Sequence, residues 1–384
     1  MNVNKNYKKG IRNKIITLAL MCGCLPMKRL RLLNTNHRTL LAKLRDMQEE
    51  GVLDEIHIKD KWIFTLTTGG KNMPELEAVF SPTLIKQYKD YAQKDESKVR
   101  SRSETKDGKL DSVRILNNVT TIFFYYGIGF QTITDEKPTL FHDDLTGLPN
   151  TYYTSREVKG YKNLEGDREK NNTVETTRLS GLSATHGGNY IVFQMGKSLI
   201  DFTEKGEGKA KIYVEQMLFE KRLGPLTGSI LLSDKENALG LILEPPSKRA
   251  ENRLKGIFNV YENIYFLTND LQGQKMMEVM AIKDWEDIIY GATLSKEMRA
   301  GRSTTSIDCD GYKDGKHYMV YCIPNIARLR RFYGAAKLMR NKERYIVYCF
   351  RHQENLLQEI LGDYCLVQSA DFEELYRYMK GKAL

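Results

Sequence analysis

NTNHRTLLAKLRDMQEEGVL, residues 34–53, is the stretch whose reading decides the fold of the first part of this chain. Leu40, Leu41, Leu44 and Met47 recur at helical spacing, which predicts a helix over about 37–50. Asn34-Thr35-Asn36 supplies N-cap chemistry in front of it, and Gly51 stands where a left-handed residue closes a helix. At 100° per residue the opposite face gathers Thr35, Arg38, Ala42, Arg45, Asp46 and Glu49. The front half of that face is polar and basic, with a small residue at Ala42. A helix lying in a DNA major groove needs this: donors near its N-terminus and no bulk against the groove floor. The acidic tail, Asp46, Glu49 and Glu50, is expected to point away from DNA.

Working outward, Ile11–Met21 predicts a first helix with a broad apolar face, interrupted at Cys22-Gly23-Cys24. Pro26 is suited to open a short second helix, Met27–Leu33, that exposes Lys28, Arg29 and Arg31. After Val52-Leu53, the segments Glu55–Ile58 and Trp62–Leu66 alternate like two strands, with Lys59-Asp60-Lys61 at the tip between them. Three helices followed by a hairpin spell a winged helix-turn-helix over residues 1–75. In that reading Arg38, Thr39, Ala42 and Arg45 face the major groove, while Lys28, Arg29, Lys59 and Lys61 contact phosphate. Thr35, Asn36 and Lys43 complete the candidate DNA-binding set. Such modules also serve protein–protein contacts, but the local charge argues for double-stranded DNA.

That charge is concentrated. The first 72 residues hold fourteen basic and six acidic side chains, eight of the ten net positive charges of the 384-residue chain. The remaining 312 residues are nearly balanced, with 45 basic and 43 acidic. A localised basic module implies a polyanionic partner. Residues 8–26 also resemble a secretion signal, with Lys8, Lys9 and Lys14 before an apolar run. The run is short and Met21-Cys22-Gly23 is a poor cleavage context, so the first helix is the preferred reading. No apolar stretch is long enough to predict a membrane span. Six unpatterned cysteines suggest reduced thiols and a cytoplasmic protein.

Beyond the module, residues 76–110 predict a helix and a charged linker. Residues 111–384 predict a mixed α/β domain with a partly parallel sheet, with two subdomains meeting near residue 225 as one option. Arg178–Phe202 reads as a three-stranded meander. Thr305–Cys309 and Tyr318–Ile323 read as a hairpin, and strands then alternate with helices to the end. Chemical motifs are scarce. The six histidines occur singly, Cys22/Cys24 lack a second ligand pair, and no phosphate loop or nucleophile elbow is present. No cofactor, metal site or catalytic residue is therefore expected. Asp308-Cys309-Asp310 is a candidate Mg²⁺ carboxylate pair, but a polar turn before Gly311 is the preferred reading. The segment 326–340, with Arg328, Arg330, Arg331, Lys337 and Arg340, reads as either a phosphate-binding helix or a solvated basic face.

The N-terminal module, together with Ser155-Arg156-Glu157-Val158-Lys159-Gly160, Leu179-Ser180-Gly181-Leu182 and Tyr190-Ile191-Val192, resembles the replication-relaxation-type winged-helix proteins of plasmids and integrative conjugative elements of Gram-positive bacteria. The resemblance is specific over about 70 residues and carries no catalytic residues. It implies an accessory or regulatory DNA-binding protein of a mobile element, acting in replication, relaxation or transfer. The α/β domain is then expected to form a homodimer or recruit a protein partner. Two other readings stay open: a ligand-sensing transcription regulator, and a metal-dependent nuclease or nicking enzyme.

Overall fold

The computed structural model describes residues 10–58, 61–66, 72–86, 112–141, 144–161, 177–196, 201–234 and 238–383. The chain is α/β and forms two compact units divided between residues 142 and 143. The division falls later than the linker predicts. Helix Ser112–Gly127, expected to open the α/β domain, packs instead on elements of the first unit.

In the first unit, α1 (Ile11–Cys22) is buried from Ile15 through Cys22, so the signal-like run is a core helix. Gly23, at φ 73°, ends it, and its N–H bonds the carbonyl of Ala19. β1 (Leu25–Pro26) follows, a two-residue strand that no sequence period announces. The second helix is a 3-10 helix, Met27–Leu33, with Leu30, Leu32 and Leu33 inward. Asn34 then takes the left-handed conformation (φ 50°), one that Asn tolerates better than most residues, and turns the chain. α2 (His37–Glu49) buries Leu40, Leu44 and Met47, while Leu41 is half-buried. Gly51 (φ 71°) and the bond from Val52 N–H to the Met47 carbonyl close it. β2 (Leu53–Ile58) and β3 (Lys61–Leu66) form the expected hairpin, in register from Leu53↔Leu66 to Ile58↔Lys61. β1 adds to β3, giving the order β1-β3-β2. α3 (Asn72–Val79) precedes a helical stretch at 82–86, and α4 (Ser112–Gly127) packs on the 3-10 helix, α1 and β1.

The second unit holds two sheets. β4 (Thr151–Thr154), β5 (Leu179–Thr185), β6 (Gly188–Gly196), β7 (Leu226–Ser233) and β8 (Ile264–Thr268) pair in that order, antiparallel up to β6 and parallel from β6 to β8. Asp201 and Phe202 are not strand, and the rest of the expected third meander strand lies outside the described residues. The second neighbour of β6 is the parallel β7, a pairing that local alternation does not reveal. α5 (Ser155–Tyr161) follows β4, and the crossover helices are α6 (Glu204–Glu220), α7 (Ala238–Leu243) and α8 (Lys248–Phe258). α9 (Leu271–Met280), α10 (Trp285–Thr293) and α11 (Lys296–Gly301) lead to the second sheet.

That sheet has the order β12-β11-β10-β9, built from β9 (Gly311–Lys313), β10 (Lys316–Val320), β11 (Tyr345–Phe350) and β12 (Leu366–Ala370). β10, β11 and β12 are parallel; β9 is antiparallel. The hairpin sits later than its apolar pattern suggests, because Asp314-Gly315, both at positive φ, make a two-residue turn between Lys313 and Lys316. α12 (Ile326–Met339), α13 (Arg351–Leu361) and α14 (Phe372–Ala383) complete the unit. An antiparallel bridge, Tyr265↔Asn325, ties the chain after β10 to β8.

Candidate nucleic-acid interface

Asn36 fixes the start of α2. Its Oδ1 accepts from the N–H groups of Arg38 (3.1 Å) and Thr39 (3.3 Å), so the first turn has a defined entry. With Leu40, Leu44 and Met47 inward, the outward face presents Arg38, Thr39, Ala42 and Arg45, all exposed. Arg38 and Arg45 form no ion pair among the described residues. They lie seven residues apart on nearly the same side, about 10 Å along the axis.

The acidic residues behind them are largely neutralised. Lys43 Nζ sits 3.2 Å from Asp46 Oδ2, and Arg12 pairs with Glu50. Lys43 is therefore half-buried and engaged within its own helix. On the 3-10 helix Lys28 and Arg31 are exposed, whereas Arg29 is half-buried and has partners of its own. Thr35 is half-buried, and its hydroxyl is enclosed without a hydrogen-bond partner, so as placed it offers nothing to a groove. Lys61 begins β3 opposite Ile58; Lys59 lies outside the described residues. Asn36, Arg38, Thr39, Ala42 and Arg45 thus share the start and the outward face of α2, and Lys28 is exposed on the 3-10 helix that precedes it. Arg31 joins them; its charge and its place beside Lys28 were the available signal.

The basic helix of the second unit differs. Arg328 pairs with Asp310, reaches Asp308 (3.4 Å) and donates to the Tyr290 hydroxyl (2.6 Å). Arg331 Nε donates to Asp308 (2.7 Å). Burial works to raise the Asp308 carboxyl, but Arg331 and Arg328 outweigh it and hold it below the usual carboxylate range. Arg330 lies 3.8 Å from Glu251 and over the Phe258 ring. Lys337 bonds Glu244 at 2.9 Å. The candidate metal carboxylates and the candidate phosphate-binding helix are thus bound to each other. The second Asp310 oxygen accepts from the Val320 N–H (2.7 Å), which secures the end of β10. No group of three His, Cys, Asp or Glu able to hold a metal occurs among the described residues. All six cysteines are buried and unpaired.

Among the described residues no helix is long and apolar enough to cross a membrane. Compared with known protein families, characterised proteins and solved structures, the chain matches none.

Proposed function

We propose that the first unit is a winged helix-turn-helix that binds double-stranded DNA, with α2 in the major groove. The observation that carries this reading is the exposed face Arg38–Thr39–Ala42–Arg45, whose two arginines have no carboxylate partner among the described residues. Guanidinium forks match guanine O6/N7, a small residue lets the helix approach the base edges, and 10 Å spans about three base-pair steps. Lys28 and Arg31 supply phosphate contacts beside it. The element order helix, strand, short helix, helix, hairpin supports the same reading, since β1 lies where such a fold closes its small sheet.

In this role the protein is an accessory or regulatory factor of a mobile element, acting in the cytoplasm at an origin-like or promoter site. Its second unit serves a dimer contact or a protein partner. Selection of bound duplexes from a randomised pool by the full chain tests the proposal. It is supported by an enriched site carrying guanines about three steps apart, a preference lost in Arg38→Ala. It is refuted if no duplex is retained at low salt. A regulator that senses a small molecule is the second reading, favoured by a crevice in the second unit.

A further inference from the structure

Parallel strands that end together leave a crevice at their carboxyl ends, between the helices that follow them. In the second unit the ends of the parallel pair β10 and β11 and the end of β8 from the other sheet line one crevice, with the first turns of α9 and α13 beside them. The crevice there has a cavity volume of about 50 Å³ and opens to solvent at its mouth.

Its walls are specific in character. Phe266, Tyr321, Phe350 and Phe372 contribute aromatic surface, and Met276 and Leu356 add flexible apolar surface. His352 stands at the edge with its ring against Phe350 and Phe372. No Asp, Glu, Lys or Arg lines it. Nearby charge is already matched: Lys275 of α9 pairs with Glu373 of α14. Two polar groups of the wall are engaged, while the buried Tyr321 hydroxyl has no hydrogen-bond partner. Thr268 donates to Asp270 (2.8 Å), and Gln353 Oε1 accepts from the Phe350 N–H (3.1 Å). Gln272, half-buried in the wall, has an amide oxygen with no hydrogen-bond partner.

We infer that this crevice binds a small uncharged aromatic molecule carrying one hydrogen-bond donor, its ring among the aromatic walls and its donor meeting Gln272. An ionised guest is disfavoured because the site offers no counter-charge and desolvating a charge is costly. A ring gains from sulfur and aromatic edges on several sides. This inference stands independently of DNA binding by the first unit.

Indole is a suitable probe: flat, neutral, with one N–H. The test titrates indole into the full chain carrying ¹³C-methyl methionine, with the Met276 signal assigned through Met276→Leu. The expected result is a saturable shift of the Met276 methyl signal, with indole-3-carboxylate and 1-methylindole each about tenfold weaker. Leu356→Trp, which fills the crevice, abolishes the effect while the thermal transition persists. The titration of the unaltered chain decides the matter even if that variant fails to fold. An unmoved Met276 signal up to the solubility limit of indole overturns the inference, as does binding of the carboxylate as tight as that of indole.

Discussion

Helices α2 and α12 are both rich in basic residues, and they differ in what answers the charge. On α2, Arg38 and Arg45 stand exposed and form no ion pair among the described residues. On α12, Arg328, Arg330, Arg331 and Lys337 each hold a carboxylate from another element. The difference teaches that a basic helix announces a ligand only when its own fold leaves the charge unanswered. Arg328 shows the opposite use. Burial works against its charge, but Asp310, Tyr290 and Asp308 outweigh that and keep it protonated. The pair is a cross-link between the start of α12 and the segment before β9.

The largest effect is expected where the charge is answered inside. Arg328→Ala leaves Asp310, 4% exposed, without its cation, and should cost about 3–5 kcal/mol in urea unfolding. A loss below about 1 kcal/mol would show that the cross-link is ornamental. The reverse pattern is expected on α2. Arg38→Ala combined with Arg45→Ala should leave stability within about 0.5 kcal/mol yet weaken binding to the selected duplex at least about 30-fold. Fluorescence anisotropy alongside the same unfolding curves separates the two cases.

A buried charge that its neighbours answer poorly gives an intermediate case. Glu207 is 1% exposed and one carboxylate oxygen has no hydrogen-bond partner. Burial raises its carboxyl to about 7, more than Arg178 and Lys159 lower it. Between about pH 4.5 and 7 the folded chain therefore holds a proton that the unfolded chain has lost, and stability falls as pH rises through this window. Glu207→Gln should remove that slope and stabilise the protein by about 2 kcal/mol at pH 8, with no gain near pH 4. Thermal unfolding across this range checks it; equal gains at both ends would assign the effect to packing. The smallest expected change concerns the start of α2. Asn36→Ala removes the cap and should cost about 1 kcal/mol, with weaker DNA binding because the face it positions frays.

What was legible in the sequence was local. The period of Leu40, Leu44 and Met47, the Asn36 cap and Gly51 all act within a few residues, and α2 follows from them. β1 was hidden because two residues carry no period. Helix α8 carries a local start signal in Ser247, which caps it by accepting from the Ala250 N–H. Asp314-Gly315 is likewise a local turn signal, and it sets the hairpin at Gly311–Val320. The exposure of Arg38, Thr39, Ala42 and Arg45 follows from the same local period, whereas the engagement of Lys43 with Asp46 and the enclosure of the Thr35 hydroxyl do not. By contrast, Asp308, Asp310 and the arginines of α12 are each conspicuous in the sequence, yet their pairing depends on how α12 packs beside the segment before β9. The crevice draws on residues from Leu239 to Phe372, a distance in sequence that no local pattern spans.

The most direct test of the account measures DNA affinity of the full chain over a salt series for three proteins: the parent, the Arg38→Ala/Arg45→Ala variant and Lys337→Ala. A DNA interface on α2 gives a log–log line of negative slope for the parent, a weaker and flatter line for the α2 variant, and a Lys337→Ala line that overlays the parent. An α2 variant indistinguishable from the parent, or a Lys337→Ala line as weak as that of the α2 variant, would contradict it.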